Sequence, residues 1–383
     1  MAFPATLSPD SIRALRDVLG WSPARLAEEL GVTPLTIHRW EKPARQVTDS
    51  QQNRERGRPV GIPHYVGLAL SYLMFREGLS ATTRQSVTVA LPRALGSLLP
   101  LWAKKRELDL AFGLKFEVSD VETGTDALSA IAAGKAQVAG AARGLIRPFR
   151  NSVVEVGILL RSSRAFTVLF GGSDGQKFGA EEKHFLGPTI LFPEGSDLGN
   201  ILERSLTPHP SKGPTMKTLS VSISEARIAL AKDAKALKRD KEGPRAMFIA
   251  WEPLVSKLRE ELESSTPLPS GSSWKIQGLP ESFKDLDYEF HLLCSRSWAT
   301  EHPALALNLM LCLAQADLDF VRQPIAAIQH VWENYKLSKR DELQCRQDLD
   351  NHRIAYRPSA QLLQLIRPRQ VAVVDRNDLV TRQ

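Results

Sequence analysis

The sequence has few cysteines and none of the common catalytic motifs. Its 383 residues include only Cys294, Cys312 and Cys345. Their separation matches neither a metal-ligand spacing nor a disulfide framework, so we expect buried, reduced thiols and no bound metal or cofactor. The chain also lacks a Ser-His-Asp spacing, an HExxH, a P-loop and a GxGxxG after a strand. We therefore expect no enzymatic activity, although His184 and His291 lie near strand ends where an acid–base group could act.

Long apolar runs are absent as well. No run approaches the ~18 residues that span a bilayer. The first 20 residues lack the basic start and continuous apolar stretch of a secretory signal. These absences predict a cytoplasmic protein with no membrane partner.

The composition is that of a globular protein with a mild basic bias. Hydrophobic residues make up 43% of the chain and aromatic residues 7%, and the formal net charge is +7. The length allows two or three domains. Residues 1–86 carry 11 Lys or Arg against 8 Asp or Glu, so the basic excess is relatively dense near the N-terminus. Such a bias permits a nucleic-acid partner without requiring one.

Residues 8–42 show three short helical segments with clear boundaries. In the second segment Ser22 is placed to cap the helix, Pro23 occupies the first turn and Gly31 ends it. Thr33 and Pro34 repeat the same start for the third segment, after a turn of two residues. Helices joined so tightly must cross at a steep angle, as in a helix-turn-helix.

The stretch IRALRDVLGWSPARLAEELGVTPLTIHRWE resembles the Cro and phage-repressor class of helix-turn-helix domains, the XRE family. The match lies in the order and spacing of Ala27, Gly31, Val32, Ile37 and Trp40. Pro23 departs from the pattern, since the family often has Gln at the start of its second helix.

This resemblance implies that the third helix enters the major groove of double-stranded operator DNA. Arg39 is the best single candidate for contact with a guanine, and the Arg side chains from 45 onward suit phosphates. The implied DNA-binding residues are Thr33, Leu35, Thr36, His38, Arg39, Lys42, Arg45, Arg54, Arg56 and Arg58.

From Val87 onward, strand-like and helix-like segments alternate, which indicates a parallel sheet with helices on its faces. The expected architecture is therefore multidomain, with an all-α helix-turn-helix domain at residues 1–80, a linker at 81–86 and an α/β domain at 87–383.

This second region resembles the two-lobed, periplasmic-binding-protein type of domain, in the branch that captures taurine and other sulfonates, nitrate or thiamine pyrimidine precursors. Five stretches carry the resemblance: VTVALPRALGSLLPLWAKK, LKFEVSDVETGTDALSAIAAGKAQVAGAA, TILFPEGSDLGNILERSL, MFIAWEP and HLLCSRSWATEHPALALNLM. It implies a first lobe of about 87–165 and 275–383, and a second lobe of about 166–274.

In open α/β sheets, ligands bind beyond the carboxyl ends of the strands, where backbone N–H groups at helix starts are free. Five strand ends supply the candidates, and Thr125 is expected to cap the helix that follows the second. Arg93 and Arg143 would favour an anionic or zwitterionic ligand, and Glu252 beside Trp251 could hold an amine. The candidate ligand-binding residues are Leu91, Pro92, Arg93, Thr123, Gly124, Thr125, Ala141, Ala142, Arg143, Gly195, Ser196, Asp197, Trp251 and Glu252.

A DNA-reading helix joined to a ligand cleft predicts a ligand-responsive, one-component transcription regulator. DNA half-sites one helical turn apart require a homodimer or a higher oligomer, and the helices at 304–345 could form its interface. The alternative is a cytoplasmic metabolite-binding protein, or an enzyme of the same fold, whose helical domain binds another protein.

Overall fold

The computed structural model describes residues 12–13, 16–17, 21–41, 85–162, 164–173, 188–205, 217–236, 244–279, 288–338 and 340–366. Two mixed β-sheets, each packed with helices, form two α/β lobes in these residues. We call residues 85–162 with 288–366 lobe 1, and residues 166–278 lobe 2. The chain passes between the lobes after residue 162 and returns before residue 288.

Lobe 1 contains a six-stranded sheet in the order β11-β4-β10-β3-β1-β2. The strands β1, β2 and β3 are parallel, whereas β10 is antiparallel to both β3 and β4, and β11 is antiparallel to β4. The chain returning from lobe 2 therefore inserts β10 into the middle of the first sheet. The strands are β1 (Gln85–Pro92), β2 (Leu114–Val121), β3 (Val138–Ala142), β4 (Val153–Ser162), β10 (Tyr288–Ser295) and β11 (Arg353–Pro358).

Lobe 2 contains a five-stranded sheet in the order β7-β6-β8-β5-β9. Here β6 is parallel to β7 and β8, while β5 is antiparallel to β8 and β9. The strands are β5 (Phe166–Ser173), β6 (Thr189–Pro193), β7 (Lys217–Val221), β8 (Ala246–Trp251) and β9 (Ser272–Gly278).

Helices cover the faces of both sheets. In lobe 1 they are α3 (Leu98–Lys105), α4 (Leu108–Ala111), α5 (Gly124–Ala132), α9 (Arg296–Glu301), α10 (Pro303–Arg322), α11 (Pro324–Asn334), α12 (Glu342–Asn351) and α13 (Ala360–Ile366). In lobe 2 they are α6 (Leu198–Ser205), α7 (Ile223–Ala236) and α8 (Leu254–Ser265). Two short helices, α1 (Pro23–Leu30) and α2 (Pro34–Trp40), precede the lobes.

The packing of lobe 1 shows how small residues are used. The buried ring of Phe290 lies directly against Gly96 and Gly140, where any added β-carbon would meet the ring within 3 Å. A segment of small residues in β3 thus lets an aromatic residue of the central strand pack closely against the sheet. Such close packing is costly to alter, because buried rings fit their surroundings with few voids.

Among the described residues, α10 is long enough and apolar enough on average to cross a membrane, although polar residues such as Asn308 and Asp317 interrupt its apolar run. Its apolar window is 72% buried inside the protein, and it packs against α3, α4, α13 and β11. This burial identifies α10 as a core helix of lobe 1. Most of this helix therefore has no free surface for the dimer interface that was expected at 304–345.

Candidate functional site

A small cavity lies between the two lobes, at the ends of strands from both sheets. Its volume is about 20 Å³, which is room for one or two water molecules. A metabolite of several heavy atoms enters only when the lobes separate. The lining residues are Pro92, Ala94, Gly124, Ala142, Leu145, Phe166, Ser196, Asp197, Leu198, Trp251, Tyr288 and Phe290.

Direct hydrogen bonds hold the lobes together around this cavity. The Thr125 hydroxyl of lobe 1 donates to the Gly195 carbonyl of lobe 2 over 2.6 Å. The indole N–H of Trp251 in lobe 2 donates to the Arg93 carbonyl of lobe 1 over 2.9 Å. The structure therefore shows the lobes in a closed arrangement.

Asp197 is the one charged side chain on the cavity lining that the structure describes. Its carboxylate packs against Gly144 of the opposite lobe, and its Oδ1 accepts a hydrogen bond from Asn200 over 3.0 Å. The Tyr288 hydroxyl belongs to the same region, and burial together with the nearby Asp197 charge raises the pKa of this phenol. The remaining walls are mainly aromatic and aliphatic.

Two helices begin at the cavity. Gly124 is the first residue of α5. The Thr123 hydroxyl caps this helix by accepting a hydrogen bond from the Asp126 N–H, and the Thr123 N–H donates to the Asp126 carboxylate in return. Leu198 is the first residue of α6 in lobe 2. Free N–H groups and the helix dipole at such starts favour a negative group, so the cavity offers partial positive charge beside the Asp197 carboxylate.

The structure brings six of the sequence-predicted ligand residues to the cavity lining. Their role in binding a ligand stays a prediction. They are Pro92, Gly124, Ala142, Ser196, Asp197 and Trp251.

Several other candidates have structural roles in the fold, and their part in binding a ligand stays a prediction. Leu91 and Ala141 are fully buried in the sheet of lobe 1. Thr123, rather than Thr125 as predicted, caps α5, and Thr125 makes the contact between lobes. Gly195 adopts a φ of 70°, and a β-carbon there would meet the Thr123 hydroxyl oxygen at 2.9 Å.

The three charged candidates other than Asp197 do not line the cavity. The Arg143 side chain is 75% exposed and pairs with Glu289 over 3.1 Å. Arg93 faces a separate groove. Glu252 is buried on another side, where it accepts the Ser256 N–H over 3.2 Å, and burial raises its pKa. Neither arginine lines this cavity in the closed arrangement, and the role of both in binding a ligand stays a prediction.

Sequence reasoning missed the aromatic walls of the cavity. Phe166 opens β5 and Tyr288 opens β10, the first strands after each passage between lobes, and their rings meet edge to face at 5.2 Å. Phe290 follows two residues later. The sequence signal that could have found them is an aromatic residue at the start of each strand that follows a crossing between the lobes. Ala94, Leu145 and Leu198 complete the missed lining.

Of the two histidine candidates, His291 does not line this cavity. His291 is buried in lobe 1 between Glu155, at 3.3 Å, and Glu289, at 3.5 Å, and it is absent from the cavity lining. His184 lies outside the described residues. Within the part of the chain that the structure describes, no group of three potential metal ligands occurs, and the three cysteines are buried and unpaired.

The first helices present a mixed surface. Gly31, with a φ of 65°, ends α1, and the Thr33 hydroxyl caps α2 by accepting the Thr36 N–H over 3.2 Å. Ile37 and Trp40 are buried. Among the DNA-binding candidates, Thr33, Leu35, His38 and Arg39 are exposed and Thr36 is half-buried. The others, Lys42, Arg45, Arg54, Arg56 and Arg58, lie outside the described residues.

Comparisons with known proteins agree with the two-lobed architecture. No protein-family model matches the chain, and no curated protein matches it. The chain is similar in structure to the alkanesulfonate-binding protein SsuA from Xanthomonas axonopodis pv. citri bound to MOPS, with 20% identity over 75% of this chain and 91% of that one, and a TM-score of 0.51. It is also similar to the periplasmic aliphatic sulphonate binding protein SsuA from Escherichia coli, with 16% identity over 74% and 90% of the chains and a TM-score of 0.51.

Both neighbours are ligand-binding proteins rather than enzymes. The prediction of a cytoplasmic location is contradicted by this comparison, because a neighbour of the same fold is a periplasmic protein. At these identities the likeness shows the fold. The chain has a periplasmic-binding-protein-like fold of two α/β lobes.

Proposed function

We propose that this protein binds a small zwitterionic molecule between its lobes, without turning it over, and closes over it. The observation that carries this proposal is the pairing of one carboxylate, Asp197, with the starts of α5 and α6 on one cavity lining. An ammonium group of the ligand would meet Asp197, and its anionic group would meet the N–H groups at Gly124 and Leu198.

The neighbouring proteins support a small molecule with an acidic group. One is named as an alkanesulfonate-binding protein and was solved with MOPS, and the other is named as a sulphonate-binding protein. In this chain no described Arg or Lys lines the cavity, so a purely anionic ligand would find no cationic side chain there. A zwitterion satisfies both the helix starts and Asp197.

This proposal is tested with triplets of ligands that differ in charge, such as taurine, 2-hydroxyethanesulfonate and ethanolamine, titrated by calorimetry. The zwitterion taurine should bind at least about tenfold more tightly than the anion 2-hydroxyethanesulfonate or the cation ethanolamine. Asp197→Asn should remove that preference, since a charge left without its buried partner costs about 2 kcal/mol or more. Asp350→Asn is the matched control, because Asp350 is exposed on α12. Equal binding of the zwitterion and the anion by the wild-type protein would contradict the proposal.

We propose, as a second function, that α1 and α2 bind double-stranded DNA and that the ligand regulates this binding. The supporting observation is the division of α2 into a buried side, Ile37 and Trp40, and an exposed side with His38, Arg39 and Leu35, which is 58% exposed. An apolar and a basic side chain that project together suit a thymine methyl group and a guanine edge. The DNA assay tests this second function independently of the ligand titration.

Arg39→Ala should weaken binding to a selected DNA sequence by about tenfold or more, since base contacts from Arg are worth about 1–3 kcal/mol. Fluorescence anisotropy at ~150 mM salt, with unlabelled competitor, measures this on a sequence chosen from a random library. Arg25→Ala is the control, because Arg25 pairs on α1 with Glu28 and Glu29. If no sequence is selected, and the residual affinity only falls with salt, α1 and α2 instead form an interaction module.

A homodimer would place two copies of α2 on successive turns of the DNA. Light scattering of the purified chain measures its mass directly, and a monomer on DNA would contradict this part of the proposal.

A further inference from the structure

A second groove lies between the lobes, beside the cavity described above. Its volume is about 190 Å³, roughly ten times that of the cavity. Pro92 and Ala94 line the cavity, whereas Arg93 between them lines the groove. The two spaces therefore lie on different sides of the same segment of lobe 1.

Three cations from both lobes line this groove. Arg93 comes from the end of β1 in lobe 1, Arg227 from α7 and Lys257 from α8, both in lobe 2. Burial and the nearby Arg93 charge both lower the pKa of Lys257. The closed lobes thus bring like charges toward one another.

None of these three cations has an ion-pair partner within 4 Å among the described residues. Elsewhere in lobe 1 the half-exposed Arg106 does pair, with Asp319 over 3.0 Å. Glu122 and Glu261 also line the groove, and the Glu261 charge acts on Lys257 from beyond ion-pair distance. Three cations against two carboxylates leave the lining with a net positive charge.

We infer that this groove binds a small oxyanion, such as a phosphate, sulfonate or carboxylate group, that bridges Arg93 of lobe 1 to Arg227 and Lys257 of lobe 2. Guanidinium and ammonium groups are suited to such oxygens, and their hydrogen bonds to a charged acceptor are strong. A bound anion would also cancel the repulsion that opposes closure. It would therefore bind the closed lobes more tightly than the open ones and shift the population toward the closed form.

The full-length protein is titrated by calorimetry with inorganic phosphate, sulfate, methanesulfonate and acetate, so that binding of different oxyanion groups is compared. At least one should bind, and Arg227→Gln and Lys257→Met should each weaken that binding about tenfold. Lys232→Met is the matched control. It removes one exposed positive charge from the same helix, α7, without touching the groove, so its affinity should stay at the wild-type value.

Asp197→Asn separates this site from the cavity. Oxyanion binding should survive that change even where zwitterion binding is lost, because Asp197 does not line the groove. Circular dichroism checks that each variant is folded. The inference is overturned if none of the four anions binds, or if Lys232→Met weakens binding as much as the two groove variants do.

Discussion

Gly144→Val is expected to displace the Asp197 carboxylate from the closed cavity while each lobe stays folded. A β-carbon built on Gly144 lies 2.1 Å from both carboxylate oxygens of Asp197, which belongs to the opposite lobe. Real contacts of this kind lie beyond 3 Å. Asp197 has a short side chain that also accepts a hydrogen bond from Asn200, so the added carbons must push it out of the cavity or push the lobes apart. Either response removes the carboxylate from its place in the closed cavity.

Energy transfer between two dyes measures this closure. Lys135→Cys in lobe 1 and Lys232→Cys in lobe 2 place the dyes on exposed positions. The native thiols are buried, and burial raises their pKa values, so they react slowly.

Taurine should shorten the dye distance in the background protein and leave it unchanged in the Gly144→Val variant. Gly278→Val is the control, because a β-carbon at Gly278 meets nothing within 4 Å. If Gly144→Val and Gly278→Val close equally well, the contact between Asp197 and Gly144 does not define the closed state.

Two buried residues near Arg340, Asp348 and His352, should each make the stability of the protein depend on pH. Asp348 lies 3.3 Å from the Arg340 side chain, yet burial outweighs that attraction and raises its pKa from 3.8 to about 7. Burial, and then the Arg340 charge, lower the pKa of His352 from 6.5 to about 4. Both residues therefore favour their neutral forms in the folded protein.

These two shifts act in opposite directions on stability. Asp348 stabilises the fold below about pH 4, and this contribution is lost as the pH rises through about 7. His352 stabilises the fold above about pH 6.5, and its contribution is lost as the pH falls through about 4. At 1.36 kcal/mol per pKa unit, the shifts correspond to about 4 kcal/mol for Asp348 and about 3 kcal/mol for His352. Because the two contributions oppose each other, this pair should change the free energy of unfolding of the wild-type protein only slightly as the pH varies.

Substituting one residue at a time should reveal the pH dependence that the other gives to the free energy of unfolding. In Asp348→Asn, the free energy of unfolding should rise between pH 4.5 and 6.5, because only the His352 contribution remains. In His352→Gln it should fall between about pH 4.5 and 7, because only the Asp348 contribution remains. Urea denaturation at a series of pH values measures both, with Asp350→Asn as the exposed control. Glu252 also titrates from a buried position, but it is common to all variants. Parallel slopes in both variants would contradict the assignment.

The alternation of strands and helices along the sequence predicted an α/β fold, and the resemblance to periplasmic-binding-protein domains implied its two lobes. Alternating strands and helices, the small residues of β3 and the Glu-Gly turn after β6 mark strand ends without knowledge of the whole fold. The strand β11 was not predicted. It is a six-residue segment that ends in proline, and it becomes a strand by pairing with β4, about 200 residues earlier in the chain.

The cavity residues that the sequence located are those whose place depends only on where a strand ends. Strand ends placed Gly124, Ser196 and Asp197 at the cavity, since the carboxyl ends of parallel strands meet at one edge of a sheet. Side-chain direction depends on distant partners and could not be predicted. Arg143 turns toward Glu289, which follows 146 residues later, and Glu252 packs near Arg340, which belongs to the other lobe.

The central claim is that a small molecule binds between the lobes and closes them. Hydrogen-exchange mass spectrometry of the wild-type protein, with and without the tightest-binding zwitterion, tests it most directly. Slower exchange should appear together at 92–94, 123–125 and 142–145 in lobe 1 and at 195–198 in lobe 2, because these segments meet around the cavity. Protection confined to one lobe, or located away from these segments, would contradict the claim.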